Sequence, residues 1–97
     1  MRIRWARAAV ADLENIGAYL EEHSPSFTES TLLRLYEAAQ SLKRFSNRGR
    51  IGRVPGTREL VVSPLPYVMV YAVAEQVVHI VRVLHGAQSW PGLKPKR

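Results

Sequence analysis

Three short apolar segments near the end of the chain, Arg58–Val62, Tyr67–Val73 and Val77–Leu84, most constrain the fold. They are rich in valine and tyrosine and are separated only by Ser63-Pro64-Leu65-Pro66 and by a turn at Glu75-Gln76. Connections this short make an antiparallel meander. A two-residue turn at Glu75-Gln76 sets Val73 opposite Val78, Tyr71 opposite Ile80, Met69 opposite Arg82 and Tyr67 opposite Leu84. The preceding link sets Val62 opposite Tyr67, Leu60 opposite Met69 and Arg58 opposite Tyr71. One face then holds Val68, Val70, Ala72, Val81 and Val83, small side chains suited to packing under helices. The other holds Arg58, Leu60, Tyr67, Met69, Tyr71, Ile80, Arg82 and Leu84. A mixed aromatic, aliphatic and guanidinium surface is the composition enriched in recognition sites, and isolated arginines are costly to bury. The expectation is an exposed binding face, against the simpler reading in which the tail folds back over it and Arg58 and Arg82 pair with Glu59, Glu75 or the terminus.

Upstream, the period of the pattern changes twice. Arg2-Ile3-Arg4-Trp5 alternates and reads as a first strand. Val10, Leu13, Ile16, Gly17 and Leu20 recur at helical spacing, predicting an amphipathic helix over 7–23, with Gly17 permitting close helix packing. Ser24-Pro25-Ser26 interrupts it, and Ser26 with Glu29 has the spacing of a capping box. A second helix carries the stripe Phe27, Thr31, Leu35, Ala38, Leu42 and Phe45, so the pair should form an antiparallel hairpin over one face of the sheet. Residues 46–57, with three glycines and Arg48, Arg50 and Arg53, form the main loop and the most cationic one. The expected class is α+β, a two-helix hairpin on a small, mainly antiparallel sheet in the order β-α-α-β-β-β, as a single domain over 1–97 with an extended tail from Gly86 to Arg97.

Composition narrows the function classes. The 97 residues include no cysteine, which removes disulfides, thiolate catalysis and cysteine-ligated zinc and fits a reducing, cytoplasmic setting. The longest uncharged run, 60–74, contains two prolines and is too short to cross a bilayer, while Asp12 and Glu14 interrupt any export signal. A soluble protein without a membrane partner is expected. The net charge of +6 comes mostly from arginine, whose planar fork suits phosphate and carboxylate, so the expected partner is anionic, either nucleic acid or an acidic protein segment.

Catalytic signals are sparse. His23 closes the first helix as a C-terminal cap, and His79 lies in a strand, on the core side near its edge. His85 ends the last strand beside a glycine and is the one plausible general acid or base. No paired-carboxylate, His-x-x-x-His or Gly-Lys-Ser/Thr spacing is present, so neither a metal nor a cofactor is expected.

The order of these elements, together with Ala11-Asp12-Leu13-x-x-Ile16-x-x-Tyr19-Leu20, Gly49-Arg50, Pro55-Gly56-Thr57-Arg58-Glu59-Leu60, Tyr67-Val68-Met69-Val70-Tyr71 and Val83-Leu84-His85-Gly86-Ala87-x-x-Trp90-Pro91, resembles the ParE/RelE superfamily of toxins from type II toxin–antitoxin modules, closest to its ParE branch. The resemblance covers nearly the whole chain. It implies a growth-inhibiting toxin of a plasmid-stabilising type that acts on DNA gyrase and is neutralised by a ParD-like antitoxin in a hetero-oligomer. Antitoxin binding is expected at Arg58, Leu60, Tyr67, Met69, Tyr71 and Arg82, and target binding at Arg48, Arg50, Arg53, His85 and Trp90. The alternative it implies is a RelE-like, ribosome-dependent mRNA interferase, with His85, Arg58 and Arg82 as its catalytic candidates. Lys43, Lys94 and Lys96 make no catalytic cluster, and Gln88 departs from the arginine common in related sequences.

Overall fold

A computed structural model describes residues 1–86. Strand β1 (Arg2–Trp5) leads into helix α1 (Arg7–His23); a single 3-10 turn at Pro25–Phe27 leads into α2 (Thr28–Ser41). Strands β2 (Arg50–Ile51), β3 (Arg58–Val61), β4 (Tyr67–Ala74) and β5 (Val77–His85) follow. The five strands form one sheet in the order β1-β5-β4-β3-β2, antiparallel except for the parallel pairing of β1 with β5. The α+β class, the helix pair and the meander agree with the sequence reading. The two-residue β2, inside the main loop, was not expected.

Helix boundaries differ from expectation at α2. The proposed capping box is absent: Pro25 starts a 3-10 turn and no side chain caps α2. The helix ends at Ser41, followed by a turn through Leu42, so Phe27 and Phe45, expected at the two ends of its buried stripe, are about three-fifths exposed. Thr31, Leu35, Ala38 and Leu42 are buried as expected. His23 ends α1, its Nδ1 2.9 Å from the carbonyl of Tyr19 and its ring stacked on the Tyr19 ring. At Gly17 an added Cβ would lie 3.4 Å from Leu32 Cδ1, which is the close interhelical approach expected there.

The β3–β4 register is as read, with Arg58 opposite Tyr71 and Leu60 opposite Met69. The Glu75-Gln76 turn has positive φ at both residues, the backbone of a type I′ hairpin turn, and Val73 pairs with Val78 and Tyr71 with Ile80. Beyond that point the expected register fails. A bulge shifts the ladder so that Val70 faces Arg82, Met69 faces Val83 and Tyr67 faces His85. Val81 is the extra residue.

On β3, on β4 and on β5 as far as the bulge, the two sheet faces are also exchanged relative to expectation, whereas beyond the bulge Val83 packs in the core as expected. Leu60, Tyr67, Met69, Tyr71 and Ile80 pack in the core with Ala9, Ile16, Leu35, Ala38, Ala39 and Leu42, and Met69 and Tyr71 are wholly buried. Three alanines on the helix faces leave room for two tyrosines and a methionine on the strands. Small side chains therefore sit opposite large ones. Val70, Leu84 and Glu59 are buried on the opposite face. His79, expected on the core side, is exposed.

Candidate functional site

The loop that leaves α2 is held by three polar anchors, each inserted from the sheet. The Tyr71 hydroxyl donates to the Ser46 carbonyl at 2.7 Å and accepts from the Gly49 N–H at 2.8 Å. A buried tyrosine needs a partner for its hydroxyl, and here both hydrogen-bonding roles are used by the loop backbone. Gly49 is required at this approach, because a Cβ there would stand 2.8 Å from Tyr71 Cε1 and 3.0 Å from the Glu59 backbone. The Arg58 guanidinium donates to the Gly49 carbonyl at 2.7 Å.

The third anchor is Glu59, only 2% exposed and opposite Arg50 in the β2–β3 pair. Its carboxylate accepts from Arg50 Nη2 at 2.9 Å, from the Arg53 backbone N–H at 3.0 Å, and from Arg53 Nε and Nη2 at 3.3 Å. Burial pushes the Glu59 carboxyl up. The hydrogen bonds from the Arg53 backbone and side chain and from Arg50 outweigh it and hold the group below the usual carboxylate range. Arg50 and Arg53 remain more than half exposed, at 58% and 56% of their side-chain surface. Arg48 donates to the Ser41 hydroxyl. The loop thus presents fixed, solvent-facing cations on a buried acidic pivot.

Arg82 is engaged at the other side of the sheet. Its Nε and Nη2 form a two-pronged contact with Asp12 of α1 at 2.7 and 2.9 Å, and the same carboxylate accepts the Val83 backbone N–H at 2.8 Å. The Asp12 hydrogen bond raises the Arg82 pKa further against the opposing effect of burial. One carboxylate therefore satisfies a strand N–H and the guanidinium beside the bulge.

Between α1, the 3-10 turn, the start of β4 and the end of β5 lies a groove of about 570 Å³. Ile16, Leu20, Leu65 and Val83 line it with apolar side chains, and Tyr19, Tyr67 and His85 line it as well. His85 meets the Tyr67 ring edge-on at a centroid distance of 5.9 Å. Burial, with a smaller contribution from Tyr19, raises the Tyr67 phenol pKa.

The sequence-derived site is therefore divided. Leu60, Met69 and Tyr71, expected to be exposed, are core residues and offer no contact surface in this conformation. Arg58 ties down the loop and Arg82 ties β5 to α1, so the arginines expected to face a partner bond to the protein itself. Tyr67, also expected to be exposed, is buried in the core, though with His85 it lines the groove. Arg50 and Arg53 share Glu59 while Arg48 is tied to Ser41 of α2, and none of the three lines the groove. Trp90 lies outside the described residues. Sequence reading missed Asp12 and the pivot at Glu59. For Glu59 there was a signal, a carboxylate on the same strand face as Val70 and within a few residues of three arginines.

A helix pair on this sheet, with no group of three metal-ligating side chains among the described residues, defines a small basic α+β domain built around an ordered arginine loop. Residues 3–90 match the family described as "ParE toxin of type II toxin-antitoxin system, parDE". The chain belongs to this ParE toxin family. It is 38% identical over 90 residues to "Putative toxin Y4kP" of Sinorhizobium fredii, covering 93% of each chain. It is 44% identical over 87 residues to "Toxin RelE2" of Caulobacter vibrioides, covering 90% of this chain and 97% of that one. A solved structure described as "Chromosomal ParDE TA system from P. aeruginosa" superposes with a TM-score of 0.80 at 27% identity, over 86% of this chain and 92% of the other.

Proposed function

We propose that this toxin acts by binding rather than by chemistry, with DNA gyrase as its target and a ParD-like antitoxin as its inhibitor. The observation that carries this reading is the engagement of the arginines. Arg58 and Arg82, which a ribonuclease would need to aim at a phosphate, are bonded to the Gly49 carbonyl and to Asp12. Arg50 and Arg53 are held by Glu59 yet stay exposed, which suits a preformed contact surface, since ordering them beforehand lowers the entropic cost of binding. The Arg48, Arg50 and Arg53 loop is the target-binding surface in this reading. The antitoxin takes the apolar groove beside Tyr67, which offers a helix or extended segment a hydrophobic wall. The toxin–antitoxin pairing draws support from the family match and the similar ParDE structure.

His85 favours a second reading, as an mRNA interferase, because it is exposed at the end of β5 and lines the groove. A single variant separates the two. In cells expressing His85→Ala, a gyrase-directed toxin retains growth arrest and still causes double-strand breaks. Losing a general acid or base lowers a rate by about 10²–10⁴, so an interferase loses growth arrest and transcript cleavage together. The second result in a folded variant overturns the binding reading.

A further inference from the structure

The charges of this protein are sorted by layer. Helices α1 and α2 hold six of its eight acidic residues, Asp12, Glu14, Glu21, Glu22, Glu29 and Glu37, against only Arg7 and Arg34. The remaining described segments hold Glu59 and Glu75 against nine basic residues. Part of that positive charge lies on the sheet face turned away from the helices. Ile3 and Trp5 pack toward the core, so alternation places Arg2 and Arg4 on the outer face, where both are exposed. Arg4 pairs in register with His79, exposed on the same face. Arg50 stands on that face at the opposite edge, in line with Glu59 and Val70, with Arg53 beside it. No ion pair engages Arg2 or Arg4 among the described residues.

We infer that this outer face binds the phosphate backbone of duplex DNA directly, an activity separate from the choice of target enzyme. Charge complementarity identifies the partner as a polyanion. With strands about 4.8 Å apart, the Arg2–Arg4 edge and the Arg50–Arg53 edge are about 19 Å from each other. Duplex DNA carries one charge per about 1.7 Å of axis, so both edges meet phosphates at once. Among the described residues, the outer-facing strand positions include no Phe, Tyr or Trp, because Trp5, Tyr67 and Tyr71 all belong to the core side. Single-stranded nucleic acids are held by stacking bases on such rings, whereas a duplex backbone requires only cations. The acidic helical layer orients the molecule, repelling DNA from the side that carries the groove.

The test is titration of the full chain against a fluorescent 20-base-pair duplex at 50 to 200 mM salt, without gyrase or antitoxin. Four arginine–phosphate contacts give a log–log salt slope of about −3.6, an affinity loss of about 150-fold across that range. Arg2→Ser with Arg4→Ser brings the slope to about −1.8 and the loss to about 12-fold, while Arg34→Ser on the helical layer changes neither. Circular dichroism checks folding, and Arg2→Gln with Arg4→Gln replaces the serine pair if that variant is unfolded. The inference is overturned by a slope that the paired variant leaves unchanged, by no measurable duplex binding at 50 mM, or by tighter binding of single-stranded RNA or a polyglutamate peptide than of the duplex.

Discussion

Glu59→Gln is the sharpest perturbation of the arginine loop. The substitution keeps the shape and one carbonyl acceptor but removes the charge, and it turns an amide N–H₂ toward donors that have nothing to accept. The native carboxylate is 1% exposed in its side chain and takes charge-assisted bonds from Arg50 and from the Arg53 backbone and side chain. Each hydrogen bond to a charged group is worth about 1.5–3 kcal/mol, but the two guanidinium groups are over half exposed and recover much of that from water. The Arg53 backbone N–H has no such alternative where it meets the buried carboxylate. The net loss is about 2 kcal/mol. For a domain of this size that lowers Tm by about 8–16 °C, measured by calorimetry at pH 7. The pH dependence supplies a second arm. Because folded Glu59 titrates below its unfolded value, its stabilisation is full above the ordinary carboxylate pKa of about 4.3 and is lost as pH falls through the folded value. The gap in Tm between wild type and variant therefore narrows as pH falls from 5 to 3. A gap under about 2 °C at pH 7, or one that stays constant into acid, refutes the assignment of Glu59 as the loop's pivot.

Two further outcomes follow from the other anchors. Tyr71→Phe deletes a hydroxyl that both donates to Ser46 and accepts from Gly49, which costs about 1–3 kcal/mol; amide exchange should accelerate at Gly49 and its neighbours while β4 and β5 stay protected. Asp12→Asn unpairs Arg82 and weakens the acceptor for Val83 N–H, and with the pair partly exposed the loss is about 2 kcal/mol in chemical denaturation, shared by an Arg82→Met control because the two act as one pair.

The parts of this fold that follow local rules could be read from the sequence, and those that depend on the opposing surface could not. Short links and alternation placed the β3–β4 register and the Glu75-Gln76 turn, because hairpin geometry is fixed within a few residues. The bulge at Val81 has no glycine or proline to announce it, and one extra residue was enough to put Arg82 opposite Val70 rather than Met69. The exchange of faces has a different origin. Valines were assigned to the helices for their size, yet Ala9, Ala38 and Ala39 had already made the helix surface small, so the tyrosines and Met69 belong beneath it. Arginines inside strands suggested an outward site, whereas their partners came from Asp12, seventy residues away, and from a loop backbone no periodicity describes.

The parallel pairing of β1 with β5 bears on the order in which the molecule is made. Arg2 aligns with Val77 and Trp5 with Ile80, so β1 leaves the ribosome long before its sheet neighbour β5 has been synthesised. The helices and the β3–β4–β5 meander close through near-neighbour contacts, while β1 must cross the largest sequence separation in the sheet and bears the largest loop-closure entropy. A nascent chain therefore carries an uncommitted β1 segment until β5 has emerged. The cationic border made by Arg2 and Arg4 comes into existence only when the finished chain closes on itself.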